Sequence, residues 1–499
     1  MSASVTILRS VATVEAPALH PHRAGTRGIL SGLRAPEAIP AHVASVLIAA
    51  VLIAYSNAFA ASYQFDDFAA ILASPATQNL VGWWHAMPGI RPLLKLSYAL
   101  TYQMGGGTIA VHAANIAIHA INACLLWLLL RRWLPTLAPS LERVDLATVF
   151  AALLFALHPA ATEAVTYASG RSISLAATFG LMALLADDAS RAQPSRRALA
   201  SIGPALFALA LAVRETAVVI PAIPLLLAWA TGQPLGAESW RLRRYAFVAA
   251  AVALAMALTP GYHRFFGVSL DTRSFAAQAM GQLLAHGYLL ARALPGFCNI
   301  DPDLRVPPTW SPTLTACALL LIALLATMFA ARRRQPWLAF AIGWYFVQLA
   351  PANSLLPRLD LVNDRHLYLA VAGPALVVAC AFAYACERPP HRALARAGAL
   401  VLLATFAVAT WQRNADYRSE VALWQATVRD SPQKARAWLN LGYAYRLADD
   451  TARAAQAYRR ALALKPDNEQ AAINLDLVAP GEAAAMYRAK QANKETLPP

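Results

Sequence analysis

VASVLIAAVLIAYSNAFAA (residues 43–61) runs directly into SYQFDDFAAI (62–71). The first stretch carries no charge over 19 residues, the length an α-helix needs to cross a hydrocarbon core of about 30 Å. The second sets Asp66 and Asp67 side by side where that helix would leave the bilayer. The first stretch predicts a membrane protein, and the second raises the question of what two carboxylates do at its mouth.

Composition extends the first reading to the whole chain. Of 499 residues 58% are hydrophobic and only 14% charged, against about 25% charged in ordinary globular domains. Mean hydropathy is +0.44. The apolar residues come in blocks, which predicts an all-α polytopic bundle rather than several soluble domains. A net charge of +15 would point to nucleic acid in a soluble protein, but the arginines cluster between apolar blocks and no basic-aromatic RNA motif accompanies them. They are read as loop topology facing anionic lipid, with no nucleic-acid partner. Five cysteines without a CxxC or Cys/His cluster predict neither a disulfide framework nor a zinc site. Cys124, Cys317 and Cys380 fall inside apolar blocks, Cys386 at a block end and Cys298 in an outer loop.

Spans marked by apolar length and flanking arginine fall near 43–61, 112–130, 144–158, 172–186, 198–213, 216–230, 244–260, 313–331, 336–351, 366–385 and 396–411, about eleven in all. The basic groups Arg131/Arg132/Arg143, Arg191/Arg196/Arg197, Arg241/Arg243/Arg244, Arg332/Arg333/Arg334 and Arg388/Arg392/Arg396 then share one side with the N-terminus. The positive-inside rule makes that side cytoplasmic. Residues 1–42 are expected to be a cytoplasmic tail without a cleaved signal, 43–411 the membrane domain, and 412–499 a soluble domain outside. The apolar stretch 274–297 would invert the RRR at 332–334 if it crossed, so it is expected to be an amphipathic or re-entrant element on the outer side.

The tail has its own signature. WLNLGYAY (438–445) fits W-x2-L-G-x2-Y, and Ala454, Tyr458, Ala461 and Pro466 follow at tetratricopeptide offsets, giving a unit at 435–468. LWQATVRDSP (423–432) reads as the last helix of a degenerate repeat and EQAAINLDLV (469–478) as the start of the next. One repeat cannot close its own core and must pack on neighbours.

With this topology Asp66, Asp67, Arg91, His158, Glu163, Arg171, Arg214, Glu215, Asp364 and Arg365 all fall at the outer membrane edge. Forced to the bilayer centre, such charges cost about 2.5–3.5 kcal/mol each, so they pair or line a cavity. Acids and arginines converging at one depth point to a site that handles a proton and an anion. Plainer readings exist for each. Either aspartate can cap a helix starting at Phe68, Arg214–Glu215 can be an ion pair at a helix end, His158–Pro159 can end a helix, and Arg365 can be a snorkelling cation. His112, Asn115, His119 and Asn122 form a polar stripe on one helix, read either as interhelical hydrogen bonding or as substrate contacts.

FDDFAAI, RPLLKLSYAL, VHAANIAIHAINACLL, FALHPAATEAVTYASGR, RETAVVIP and DRHLYL, in that order and followed by a tetratricopeptide tail, resemble the transmembrane and tetratricopeptide repeat-containing O-mannosyltransferases and their bacterial relatives, among the C-type glycosyltransferases. The resemblance spans about 62–475. It implies a multi-span, C-type enzyme that takes a sugar from a polyprenyl-phosphate carrier on the lumenal or periplasmic side. It also implies an Asp base in the first outer loop, matched by Asp66 or Asp67. Two features depart from it. Ile173 stands where relatives often have an acid after the Gly-Arg pair, and this chain has about one repeat.

The expected chemistry follows. A carboxylate takes the proton of a Ser, Thr or sugar hydroxyl as it attacks the anomeric carbon. Arg171, Arg365, Arg214 and Arg91 are the candidates to stabilise the leaving phosphate. His158, Glu163, His112 and His119 are the candidate substrate contacts. The expected partners are a polyprenyl-phosphate-linked sugar, a protein or glycan acceptor and the bilayer, with no cofactor and no metal. The expected location is a bacterial inner membrane with the site and repeat in the periplasm. The alternatives are transfer to a lipid or glycan, a membrane-anchored repeat scaffold, or a transporter, which would place its charges near the midplane and show an internal repeat of spans.

Overall fold

The computed structural model describes residues 39–87, 89–192, 199–263, 267, 272–294 and 299–484. The tail expected at 1–42 lies outside it up to residue 38, as does Cys298. Every described regular element is helical, and the fold is that of an integral membrane helical bundle with a helical C-terminal body. Each of the eleven apolar runs carries a helix.

By length and apolarity four described helices suffice to cross a bilayer. They are Gly107–Leu137, Ala168–Ala192, Pro312–Ala331 and Pro389–Arg418. Two bent pairs bring the number to six, and shorter apolar helices at Ala41–Ala54, Ala200–Val213, Glu215–Ala230 and Pro336–Leu349 lie among them. The opening run is less continuous than its composition implies. Its α-helix ends at Ala54 and a 3-10 turn covers Ser56–Ala60. Short polar side chains compete with the helix there. Ser56 Oγ donates to the Ile53 carbonyl (2.9 Å), and Asn57 Nδ2 donates to the Trp411 carbonyl (2.8 Å).

Gly107–Leu137 is the central post, with 61% of its apolar window buried, while Pro312–Ala331 has 6% buried and shows Leu319, Ile322 and Phe329 outward. The post packs on Ala41–Ala54, Val144–Ala156 and Arg171–Ala192, and Ala372–Glu387 closes against Val144–Ala156. The His/Asn stripe is the polar seam of this packing. Asn115 Nδ2 donates to Val165 O (3.1 Å), and Asn122 Nδ2 donates to Ser174 O (2.7 Å) and to the Tyr368 hydroxyl (2.9 Å). In lipid, such bonds hold helices together where the hydrophobic effect does not.

The basic loops gather at one end of the post. Arg132 and Trp133 reach Asp188, Arg191 and Arg241 share Asp187, and Glu387 accepts the backbone N–H groups of Glu142 and Arg143. Seventeen residues along the same helix, about 25 Å, Asn115 meets the opposite end. Both ends of the Phe275–Arg292 segment touch that opposite end. Gln278 donates to Ser354 O (2.9 Å), and Ala293 O accepts from His158.

The tail folds as the repeat signature requires. Ala435–Leu447 and Thr451–Leu464 pair through Leu441, Ala454, Tyr458 and Ala461, all buried. A Cβ on Gly442 would stand 2.5 Å from the Tyr458 ring, which is why the motif has glycine there. Glu420–Asp430 precedes this pair and Glu469–Val478 follows it.

Candidate active site

Two breaks in apolar helices build the site. Pro159 lacks an N–H and forces His158 into extended backbone (ψ 126°), so Val144–Ala156 and Pro159–Val165 meet at 51°. Asp364–Ala370 and Ala372–Glu387 meet at 48°. The bends bring Glu163 and Arg365 together. Arg365 N–H donates to Glu163 Oε2 (3.1 Å), and Arg365 Nε lies 3.9 Å from Oε1. Glu163 is 3% exposed, and its Oε1 has no hydrogen-bond partner among the described residues.

The aspartates follow Phe65, whose φ of +42° is in the left-handed region, a strain on the order of 1–3 kcal/mol for a bulky residue. As consecutive residues of the helical turn that begins there, they point to different sides. Asp67 turns inward and is fully buried. Its Oδ2 accepts Gln64 N–H (2.9 Å) and its Oδ1 accepts Ser169 N–H (2.7 Å), tying the first outer loop to the second. Burial pushes its pKa up to about 7, against those two bonds. Asp66 turns outward into a cavity with Glu163, Tyr167, Asp301, Asp360, Arg365 and Arg436. Its own N–H donates to the Tyr167 hydroxyl (3.1 Å). The enclosing walls desolvate Asp66 and raise its pKa, with Arg365 pulling the other way.

Arg365 is also on the wall of a second cavity, with Arg214, His366 and Gln348 on its polar side and Ile173, Ala176, Ala217, Ile220 and Leu369 on its apolar side. Arg214 is 6% exposed, and its Nη1 donates to Ser172 Oγ (2.8 Å). Its sequence neighbour does not pair with it. Glu215 instead takes Arg91, which donates from Nε (3.0 Å to Oε1) and Nη2 (2.8 Å to Oε2). Tyr262 donates to the same carboxylate (3.0 Å). Arg91 is thus neutralised, while Arg214 and Arg365 face the cavity without a carboxylate in full contact. Arg358 lies close enough to act on the Arg214 charge.

Arg171 is placed differently from the other arginines. It is 1% exposed and donates to Asn115 Oδ1 (2.6 Å), Ser97 O (3.0 Å), Thr101 Oγ1 (3.0 Å) and Val111 O (3.1 Å), beneath the Tyr98 ring at 4.3 Å. These contacts use its donors inside the protein. His158 accepts Ala160 N–H at Nδ1 and donates from Nε2 to Ala293 O. His119 bonds Tyr368 and Ala156, and His112 is fully buried. None of these four lines the two cavities described above.

The sequence reading missed Asp301, Asp360, Trp424 and Arg436. Arg436, on the first repeat helix, makes a fork on Asp301 (Nε 2.8 Å, Nη2 2.5 Å) and reaches Asp360 (2.8 Å). Lys434 adds a second cation on Asp301 (3.1 Å). Burial would raise the Asp301 pKa, but Arg436 and Lys434 hold it below the usual carboxylate range. The requirement that a lone repeat pack on something was the only signal for these residues.

Residues 435–468 match the tetratricopeptide repeat model. The chain is 25% identical over 517 residues to protein O-mannosyl-transferase Tmtc3 of Drosophila melanogaster, covering 85% of this chain and 55% of that protein. It is 22% identical over 495 residues to human protein O-mannosyl-transferase TMTC3, covering 86% and 52%. It thus spans about half the length of the curated relatives it matches. Among solved structures, ArnT from Cupriavidus metallidurans, in a crystal structure bound to undecaprenyl phosphate, aligns with 92% of this chain and 82% of its own at 13% identity and a TM-score of 0.45. On the sequence matches, the chain is a distant homologue of the TMTC protein O-mannosyl-transferases and carries a tetratricopeptide repeat.

Proposed function

We propose that this protein is a membrane glycosyltransferase that moves a sugar, mannose by analogy with its relatives, from a polyprenyl phosphate to a hydroxyl of a protein. The observation that carries the reading is the pair of cavities sharing Arg365. One holds the outward carboxylate of Asp66, and the other has cations above an apolar lining.

Asp66 is the base. It takes the proton of a Ser or Thr hydroxyl as that oxygen bonds to the anomeric carbon, a contribution of typically 10²–10⁴-fold. The bond from that carbon to the phosphate oxygen breaks, and its electron pair leaves with the polyprenyl phosphate. Attack opposite the phosphate inverts the anomeric centre. Arg214 and Arg365 stabilise the leaving phosphate through preorganised charge, and the lipid tail runs along the Ile173–Ile220 side into the bilayer. Glu163 offers its free Oε1 to a sugar hydroxyl. Arg91 and Arg171 act indirectly, the first by holding Glu215 away from Arg214, the second by bracing the helix on which Ser172 sits. Asp67 holds the loop. The site faces the periplasm of a bacterial inner membrane, opposite the basic loops.

The test is purified protein in lipid nanodiscs with polyprenyl-phosphate mannose and a Ser/Thr-rich peptide. Mannosylated peptide with an inverted anomeric centre is expected. In Arg214→Gln and Arg365→Gln the apparent KM for the donor rises. No transfer to any peptide or glycan acceptor, with the donor left intact, would contradict the reading and favour a scaffold.

A further inference from the structure

The strained kink at Phe65 sets the direction of the helical turn that carries the two aspartates. Such a conformation persists only where its surroundings over-determine it, and here they come from some 350 residues along the chain. Glu420 Oε1 accepts Phe65 N–H at 2.9 Å. The Phe65 ring meets Trp424 edge-on at 5.3 Å between centroids. The Tyr417 carbonyl accepts both Ser62 N–H (3.1 Å) and Gln64 Nε2 (3.0 Å), and Ser62 Oγ donates to Arg418 O (3.2 Å). The loop 62–67 is therefore laid along residues 417–424, the lead-in to the repeat, and Trp424 itself lines the Asp66 cavity.

We propose that Glu420 and Trp424 are positioning residues for the reaction: by holding the Phe65 amide and ring they fix the kink that aims Asp66 into its cavity. The inference rests on the reading of Asp66 as base. It gives the C-terminal body a role in the chemistry through the orientation of one carboxylate.

The full-length protein in nanodiscs tests it. Glu420→Ala removes the acceptor, while Glu420→Gln keeps an oxygen for the Phe65 amide. Misplacing a reacting group by about 1 Å costs up to about 10²-fold in rate, so kcat in Glu420→Ala and Trp424→Ala falls about 10- to 100-fold. The donor KM is unchanged, and Glu420→Gln retains most of the activity. Amide exchange across 62–70 accelerates in both alanine variants while exchange in the bundle stays as in the wild type. Wild-type kcat with unchanged exchange in Glu420→Ala overturns the assignment, and so do equal losses in Glu420→Ala and Glu420→Gln. Asp66→Asn separates the two readings. If it is inactive beside a fully active Glu420→Ala, positioning fails alone. If it is fully active, the base and the positioning role fall together.

Discussion

Asp66 and Asp67 are adjacent and chemically identical, yet successive positions on one helical turn give them different surroundings. Asp67 accepts two backbone N–H groups in a buried place. In Asp67→Asn one of those donors would face an amide NH2. Leaving a buried donor unmade costs about 1–3 kcal/mol, so a fall in thermal stability is expected, read as a lower melting temperature in detergent. Asp66→Asn leaves the melting temperature unchanged, because Asp66 accepts no backbone bond of that kind. The raised pKa of Asp66 sets a pH dependence. As the proposed base Asp66 works ionised, so kcat/KM is full above its pKa and lost as pH falls through it, with the inflection above the usual carboxylate value. Because Arg365 holds that pKa down, Arg365→Gln moves the inflection to higher pH. An inflection at or below the ordinary carboxylate value would contradict the assignment. The pair of aspartates was legible in the sequence, but their division of roles was not. It depends on φ at Phe65 and on the amide of Ser169 from another loop, neither of which spacing reveals.

At the scale of elements the site depends on where apolar helices stop. Pro159 announced its break in the sequence. The break at residues 370–372 has a comparable marker, since Pro374 has no N–H to give the Ala370 carbonyl, and Gly373 before it packs so closely that a Cβ would lie 2.4 Å from the Ala341 carbonyl. Gly170 is tighter still, with a Cβ only 2.0 Å from the carbonyl of Glu163. Gly170→Ala therefore pushes the Glu163 turn away from Arg171. Overpacking of this kind costs typically 1–3 kcal/mol, so lower membrane abundance and a lower melting temperature are expected together with weaker transfer. Wild-type stability in this variant would show that the two turns are not in contact. A buried arginine in a Gly-Arg pair reads equally well as an anion ligand or as a structural pin from sequence. Only its four acceptors on Asn115, Ser97, Thr101 and Val111 distinguish the two.

For the whole molecule, the bundle and repeat were both legible, the first from apolar block lengths and the second from eight residues at fixed offsets. Their joint was not legible. Repeat motifs specify buried positions, while Arg436 is half exposed at the interface and obeys no periodicity. Asp301 holds the joint through Arg436 and Lys434. Asp301→Ala removes an ion pair on which one partner is half solvated, so about 1–3 kcal/mol of docking is expected rather than the larger loss of a fully buried pair. The checks are faster amide exchange over 431–447 and cleavage by protease near 431–434. Since the Asp301 pKa is held low, its contribution is present above the ordinary carboxylate pKa and is lost as pH falls through the lower folded value.

In the proposed reaction Asp66 acts as base beside a lipid-phosphate cavity bounded by Arg214 and Arg365. Single-turnover transfer by Asp66→Asn, with donor binding measured on the same nanodisc sample, tests it most directly. Donor affinity equal to wild type and a rate lower by about 10²-fold or more are expected. Transfer at the wild-type rate would contradict the assignment of Asp66 as base.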